Sequence, residues 1–98
     1  METTDAIGAL AALAQDSRLA VFRLLVQAGP DGMAASKIAE RLALPSSSLS
    51  FHLKELAHAR LVTSRQDGRF VIYSAQFTTM NALIAFLTDS CCSGVACS

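Results

Sequence analysis

Apolar residues recur at spacings of three and four through most of the first 58 residues, which is the pattern of amphipathic α-helices. We predict four helices here: residues 5–14, a helix from a cap at Asp16 or Ser17 to about Ala28, residues 34–43, and about Ser47 to His58. The second has apolar side chains around its whole axis, so it should be the central buried helix. The first carries one apolar stripe: Ile7, Leu10 and Ala14.

The apolar period changes from about 3.6 to 2 after residue 60. Two short alternating runs, residues 61–65 and 69–73, flank Gln66-Asp67-Gly68. An Asp-Gly pair between such runs is typical of a β-hairpin. Residues 77–89 return to the helical period, with an apolar stripe at Phe77, Met80, Ile84 and Leu87.

The third and fourth predicted helices are joined by a tight break at Leu44-Pro45-Ser46, which is typical of a helix-turn-helix. The two helices must cross closely, and Ala39 supplies the small side chain that this crossing needs. A left-handed conformation at Ala43, before the break, would cost roughly 1–2 kcal/mol. We therefore predict a mainly α fold with one β-hairpin: a winged helix-turn-helix in the order α-α-α-α-β-β-α, forming a single domain over residues 1–98.

The fourth helix has two chemically different faces at 100° per residue. One face is apolar: Leu49, Leu53, Leu56 and Ala57. The other is polar except for one aromatic ring: Ser47, Ser50, Phe51, Lys54 and His58. In a helix-turn-helix, the N-terminal half of the second helix enters the DNA major groove. Serine hydroxyls bond base edges or phosphates there, and Phe51 is suited to a thymine methyl group.

Several of these polar residues also have purely structural interpretations. One of Ser46, Ser47 and Ser48 is expected to cap the fourth helix. His52, at the edge of the apolar face, is expected to be a hydrogen-bonded structural histidine. Arg65 and Arg69 flank the hairpin turn, where arginines grip phosphate, reach a minor groove or protect edge strands.

Charge is distributed unevenly along a chain that is neutral as a whole, with eight basic and eight acidic side chains. Residues 34–71 carry six basic and three acidic side chains, a net +3, and the remainder carries a net −3. This asymmetry indicates a basic working surface on an acidic body.

Composition narrows the class of protein. With 98 residues, 52% hydrophobic and 16% charged, the chain has the composition of a folded domain rather than a disordered or collagen-like segment. No apolar run approaches the roughly 20 residues of a membrane helix. The acidic Glu2 and Asp5 stand where a signal peptide would be basic, so we expect a cytosolic protein.

Three runs together resemble the ArsR family of winged-helix repressors: Ser17-Arg18-Leu19, LSFHLKEL at residues 49–56, and DGRFVIY at residues 67–73. The resemblance covers roughly residues 8–88. It implies a homodimer that binds an inverted repeat in double-stranded operator DNA without a cofactor and leaves it when an inducer binds. The resemblance implies DNA contacts from Ser46, Ser47, Ser50 and Phe51 of the recognition helix and from the wing, residues 65–69. With Lys54 from the polar face of the fourth helix, the expected DNA-contact residues are Ser46, Ser47, Ser50, Phe51, Lys54, Arg65 and Arg69. The apolar stripes of the first and last helices imply the dimer interface: Ile7, Leu10, Phe77, Met80, Ile84 and Leu87.

The sensor sites known best in this family have no counterpart here. A C-x-C element in the third helix is replaced by Ala34-Ala35-Ser36, and the last helix has no histidine and only Asp89. Instead, the three cysteines lie in residues 90–98, at Cys91, Cys92 and Cys97. Three thiolates form a soft site one ligand short of structural zinc, and they suit pyramidal trivalent arsenic or antimony. Family variants with such a trio are arsenite sensors, which this sequence resembles.

Other interpretations remain open at this point. The tail is alternatively a frayed end, a thiol-redox switch, a site for a soft metal, or a methylated-arsenical site using Cys91 and Cys92 alone. A winged helix also serves as a protein-interaction module, and the cysteines alone would make a thiol-based metal buffer. An enzyme is not expected, because no nucleophile–base pair, phosphate loop or metal-binding helix motif is present.

Overall fold

The computed structural model describes residues 1–89; the predicted sensor residues Cys91, Cys92 and Cys97 lie outside this range. The elements are α1 (Thr3–Leu13), α2 (Asp16–Ala28), β1 (Met33–Ala34), α3 (Ala35–Leu42), α4 (Ser46–His58), β2 (Val62–Asp67), β3 (Phe70–Ala75) and α5 (Phe77–Thr88). The predicted winged helix-turn-helix is confirmed, with β1 as an additional strand.

Helix α2 is the central helix, as predicted, and buries Val21, Phe22, Leu24 and Leu25. It is not covered on every side, because Leu19 is 43% exposed. The predicted cap at Asp16 or Ser17 is wrong: Gln15 is the N-cap, and its side-chain oxygen accepts from the Arg18 backbone N–H at 2.9 Å. A glutamine one residue earlier thus satisfies the N-terminal donor that the sequence rule assigns to an aspartate or serine.

Helix α1 packs against the body through its small residues. Ala6, Ala9 and Ala12 are buried, whereas Ile7 and Leu10 of the predicted stripe are 62% and 43% exposed. Alanines allow a close approach of the helix backbone, so the larger apolar side chains of α1 remain on the outside of the single chain.

The sheet has the order β1-β3-β2, and both strand pairs are antiparallel. Asp67 pairs with Phe70, so the hairpin loop is Gly68-Arg69 and lies later than the predicted Gln66-Asp67-Gly68 turn. Gly68 has φ 61°, as a type II′ turn requires at its first central position. The short β2–β3 loop thus places Arg69 at the tip of the hairpin, which is the wing of this fold.

The turn between α2 and β1 approaches the wing closely at Gly32. Gly32 has φ +74°, and a Cβ placed there would overlap Tyr73 O and lie 2.5 Å from Ser74 Oγ. Side chains hold the same two segments together, because Arg65 Nη2 donates to Asp31 O at 2.8 Å and Ser74 Oγ donates to Pro30 O at 3.3 Å. The wing is therefore attached to the helical body in two ways: β3 pairs with β1, and Arg65 and Ser74 form hydrogen bonds to the turn between α2 and β1.

Helix α3, the first helix of the helix-turn-helix, is followed by a residue in the left-handed backbone conformation. Ala43 has φ 52° and ψ 44°, a left-handed conformation, and the next N–H, that of Leu44, donates to Ala39 O at 3.0 Å. The end of α4 repeats the arrangement with Arg60 at φ 62° and the Leu61 N–H donating to Leu56 O at 2.9 Å. Both ends follow the pattern of a helix closed by a left-handed residue, here without glycine.

Candidate nucleic-acid interface

The polar face of α4 is exposed and its apolar face is buried. Leu49, Leu53 and Leu56 are at most 2% exposed and anchor the helix in the core. Ala57, predicted on the apolar face, is exposed instead. The residues predicted to contact DNA from this helix all lie in solvent: Ser46, Ser47, Ser50, Phe51 and Lys54. Helix α4 therefore presents one continuous outer face that the core does not use.

Phe51 is 56% exposed, in the N-terminal half of this outer face. Its ring meets the neighbouring His52 ring edge-on, with centroids 5.9 Å apart and an interplanar angle of 62°. His52 is half-buried, and its Nδ1 atom is buried without a hydrogen-bond partner among the described residues. The expectation of a hydrogen-bonded His52 is therefore wrong at this atom, and the ring serves as packing surface beside Phe51.

No serine side chain caps the N-terminus of α4. Pro45 is the N-cap residue, no side chain caps the helix there, and its first turn contains no acidic residue. The predicted serine cap is therefore wrong. The first backbone N–H groups of a helix and its dipole favour an anion such as phosphate. The serines of the first turn stand around this electropositive end.

The two arginines of the wing have different surroundings. Arg65 uses its guanidinium within the protein, since Nη2 binds Asp31 O and Nη1 donates to Ser74 Oγ at 3.3 Å. Arg69 is exposed at the hairpin tip, with no side-chain hydrogen bond or ion pair among the described residues. Phe70 next to it is 56% exposed, a feature of the tip that the sequence reasoning did not single out.

Ion pairing neutralises few of the basic groups on this side of the molecule. In the part of the chain described, Lys37 and Glu40 form a surface pair at 3.6 Å, and no other salt bridge occurs. Lys54 and Arg69 are thus left with their charges unpaired among residues 1–89. Unpaired cations on an exposed surface are the electrostatic arrangement that attracts a phosphate backbone.

A second exposed surface is aliphatic and lies on the terminal helices. Ile7 and Leu10 of α1 are exposed, and so are Ile84 and Leu87 of α5, whose exposed fractions are 53% and 57%. The other two predicted interface residues, Phe77 and Met80, are partly buried and pack against the core of the same chain. Leu19 of α2 is also an exposed aliphatic residue. The sequence does not distinguish it from the buried residues of α2, because apolar side chains surround the axis of this helix.

The described residues contain no candidate metal centre, as no group of three or more His, Cys, Asp or Glu side chains within 1–89 is placed to hold a metal ion. Over the same range no helix has the length and apolar character needed to cross a bilayer. The cysteine trio is not among these residues.

Residues 13–65 match a family profile described as "Helix-turn-helix domain". The nodulation protein NolR of Rhizobium meliloti is 32% identical over 86% of this chain and 66% of its own length. The "Putative arsenical resistance operon repressor ArsR" of Halobacterium salinarum is 35% identical over 86% of this chain and 64% of its own. An ArsR-like transcriptional regulator from Rhodococcus sp. RHA1 superposes with a TM-score of 0.76 at 27% identity, covering 86% of this chain and 76% of that one. The chain belongs to the ArsR family of winged-helix regulators.

ArsR-family membership agrees with the prediction that the chain is not an enzyme, because the family consists of DNA-binding transcription regulators. The homodimeric winged helix-turn-helix DNA-binding domain of a Mycobacterium bovis protein shares the fold, with a TM-score of 0.71 at 22% identity over 87% of this chain and 77% of that one. The chain spans slightly less than two thirds of the two curated relatives described above, at 66% and 64% of their lengths.

Proposed function

We propose that this ArsR-family chain is a cytosolic, dimeric transcriptional repressor that binds operator DNA through α4 and is released by trivalent arsenic or antimony. The proposal of DNA binding is supported by the outer face of α4. The leucines on the opposite face are buried, and four residues of the outer face are exposed: Ser47, Ser50, Phe51 and Lys54. A helix anchored on one side and unoccupied on the other has the geometry needed to enter a major groove.

Each group on this face has a distinct chemical task in the proposed complex. Ser47 and Ser50 bond base edges or nearby phosphates, and the uncapped N-terminus of α4 faces a phosphate. Phe51 contacts a thymine methyl group, the apolar feature of the major groove. Lys54 and the wing-tip Arg69 bind the backbone and orient the helix. Arg65 contributes indirectly, by holding the wing against the turn at Asp31.

The proposed dimer uses the exposed aliphatic residues of the terminal helices: Ile7, Leu10, Ile84 and Leu87. Four large apolar side chains on two neighbouring helices are costly in water and are typical of an interface. The homodimeric M. bovis domain with the same fold supports this assembly. A two-fold dimer reads an inverted repeat with half-sites about 34–36 Å apart.

The proposed inducer site is the cysteine trio, Cys91, Cys92 and Cys97, in the tail that follows α5. Its support is the chemistry of the donor set, since three soft thiolates suit a thiophilic, three-coordinate metalloid. The name of the Halobacterium relative also points to arsenical resistance. Cys91 follows Leu87 by four residues in sequence, so ligand capture is expected to disturb the packing of the terminal helices. A coupling of about 2.7 kcal/mol is enough for a 100-fold loss of DNA affinity.

The test is a fluorescence-anisotropy titration of the reduced protein against its own upstream DNA, with arsenite then added to the complex. We expect salt-dependent binding, followed by release at an arsenite concentration near that of the protein. Binding without release would refute the arsenic part and direct the search to oxidants, methylated arsenicals or other soft metals. No binding at low salt would refute the repressor and favour a protein-interaction module or metal buffer.

Cysteine variants locate the sensor independently of the DNA-binding face. Cys91→Ser, Cys92→Ser and Cys97→Ser should each bind DNA like the parent protein and resist release by arsenite. Ser93→Ala in the same tail is the matched control and should respond like the parent. Release that persists in all three cysteine variants would exclude the proposed trio.

A further inference from the structure

A groove runs along α1 beside the C-terminal end of α4. It consists of two adjoining clefts of about 370 Å³ each, which share Gly8, His58 and Ala59. The first cleft lies where the N-terminal half of α1 meets the end of α4 and the first turn of α5, which contributes Thr78 and Thr79. We call this first cleft, with its extension past Gly8, the α1–α4 groove. Its size is in the range of sites for small organic molecules.

Packing does not explain the residue at the centre of the groove. Gly8 stands in the middle of α1, where glycine is less favourable than alanine. A Cβ at Gly8 would meet no atom within 4 Å, so no close approach requires a glycine at this point. The missing side chain leaves the space between α1 and the end of α4 open.

The proposed dimer leaves this groove accessible. On α1, the groove residue Asp5 lies roughly 160° around the helix axis from Ile7 and 140° from Leu10, and Gly8 lies roughly 100° and 160° from them. Thr4, at the edge of the first cleft, lies about 60° from Ile7. On α5, the residues that line the groove are likewise on the side away from the exposed aliphatic ones: Thr78, Thr79 and Ala82 against Ile84 and Leu87. A partner on the aliphatic surface therefore leaves the side of the groove at Asp5, Gly8 and Ala82 open.

The wall formed by α4 and α5 is suited to an anionic group. Arg60 supplies a guanidinium and His58 an imidazole, while Thr78 and Thr79 add two hydroxyls. The threonines stand in the first turn of α5, which has no side-chain cap and no acidic residue. A guanidinium, an imidazole and two hydroxyls at the positive end of a helix thus line the same cleft.

The remaining lining limits the class of ligand. Asp5 faces the same cleft from α1, so a polyanion would be repelled, whereas an amino or hydroxyl group would find an acceptor. Ala59 and Ala82 provide apolar surface between these polar ends. Beyond Gly8, the extension adds Glu55 and Arg18, and the Arg18 Nε already donates to Ala12 O at 2.7 Å.

We propose that the α1–α4 groove binds a small organic anion, with its carboxylate or phosphate group against Arg60 and the first turn of α5. Such a ligand touches α4, which carries the DNA-facing surface, and both helices that carry the aliphatic surface. The groove is formed by residues of the described body, so its ligand is distinct from the one proposed for the cysteine tail.

The test is a set of ¹H–¹⁵N correlation spectra of the full chain, titrated with sodium acetate, sodium benzoate and inorganic phosphate. Sodium chloride at the same ionic strength is the reference. We expect saturable shift changes at the amides of Gly8, Arg60, Thr78 and Thr79 with at least one probe. Chloride should not produce them.

Variants separate binding in the groove from general charge effects. Arg60→Gly removes the guanidinium while glycine accepts the φ of 62° at this position, and it should weaken probe affinity at least fivefold. Gly8→Leu fills the groove and should abolish the saturable changes. Arg41→Ala, which removes an exposed arginine of α3 outside the groove, is the matched control and should bind like the parent.

The outcomes decide the proposal in both directions. If no probe gives saturable changes beyond those of chloride, or if Arg60→Gly binds as tightly as Arg41→Ala, the groove is not an anion site. If Gly8→Leu does not fold, Thr79→Val takes its place, and unchanged affinity in that variant together with Arg60→Gly would equally overturn the assignment.

Discussion

Replacing Gly8, Gly29 or Gly32 by alanine should change the free energy of unfolding by three different amounts, because the three glycines have different surroundings. Gly8 has ordinary helical geometry and open space around its absent Cβ. Gly29 has φ +78° and open space. Gly32 has φ +74°, and a Cβ there would overlap Tyr73 O and stand 3.0 Å from Tyr73 C. Replacing each by alanine therefore tests helix propensity, backbone strain, and strain with a steric clash, in that order.

The expected magnitudes follow from these surroundings. Gly8→Ala should stabilise the fold by roughly 0.5–1 kcal/mol, the usual preference of a helix interior for alanine. Gly29→Ala should destabilise it by roughly 1–3 kcal/mol, because φ 78° with ψ −167° is a backbone region that essentially only glycine adopts. Gly32→Ala carries the same strain, and the clash with β3 backbone can be relieved only by moving the β1–β3 pair. We expect a loss of about 3 kcal/mol or more.

The assay is urea denaturation followed by circular dichroism, at one fixed protein concentration because a dimer shifts apparent stability by mass action. The order of midpoints should be Gly8→Ala, parent, Gly29→Ala and Gly32→Ala, from highest to lowest. If Gly32→Ala loses no more stability than Gly29→Ala, the close approach of the α2–β1 turn to the wing is not present in solution. If Gly8→Ala is destabilising, the space beside α1 is not open as described.

Four further substitutions test the proposed surfaces. Arg65→Ala should lower stability by roughly 0.5–1.5 kcal/mol in urea denaturation, because it loses its bonds to Asp31 O and Ser74 Oγ. Arg69→Ala should leave stability unchanged and reduce the slope of log K against log salt by about two for the dimer, one for each protomer, in anisotropy titrations. Equal effects of the two arginines on both measurements would contradict their separate roles. Phe51→Ala should cost roughly 1–3 kcal/mol of operator affinity with little change in unfolding midpoint, and an unchanged affinity would remove Phe51 from the DNA contact. Ile84→Lys should convert the protein to a monomer in sedimentation, since the side chain is 53% exposed in the single chain, and a persistent dimer would place the interface elsewhere.

Local patterns were sufficient for the helices and for the orientation of α4. The 3.6-residue period shows which side of a helix is apolar, and in α4 Leu49, Leu53 and Leu56 are buried as that period predicts. The same rule was insufficient for α1, where alanines pack inward and Ile7 stays outside. Periodicity identifies an apolar stripe, but it does not say whether the same chain or another one covers it.

The fold class and the cysteine trio as candidate chemistry could be predicted from the sequence, because they depend on short stretches of chain. Four features became evident only in the folded structure: the two-residue strand β1, the left-handed conformation of Ala43, the structural use of Arg65 and the groove beside Gly8. The Arg65 bond to Asp31 joins residues 34 positions apart, and the groove needs three helices to meet. Such features arise from distances between elements that are remote in sequence, and no local spacing of residue types encodes those distances.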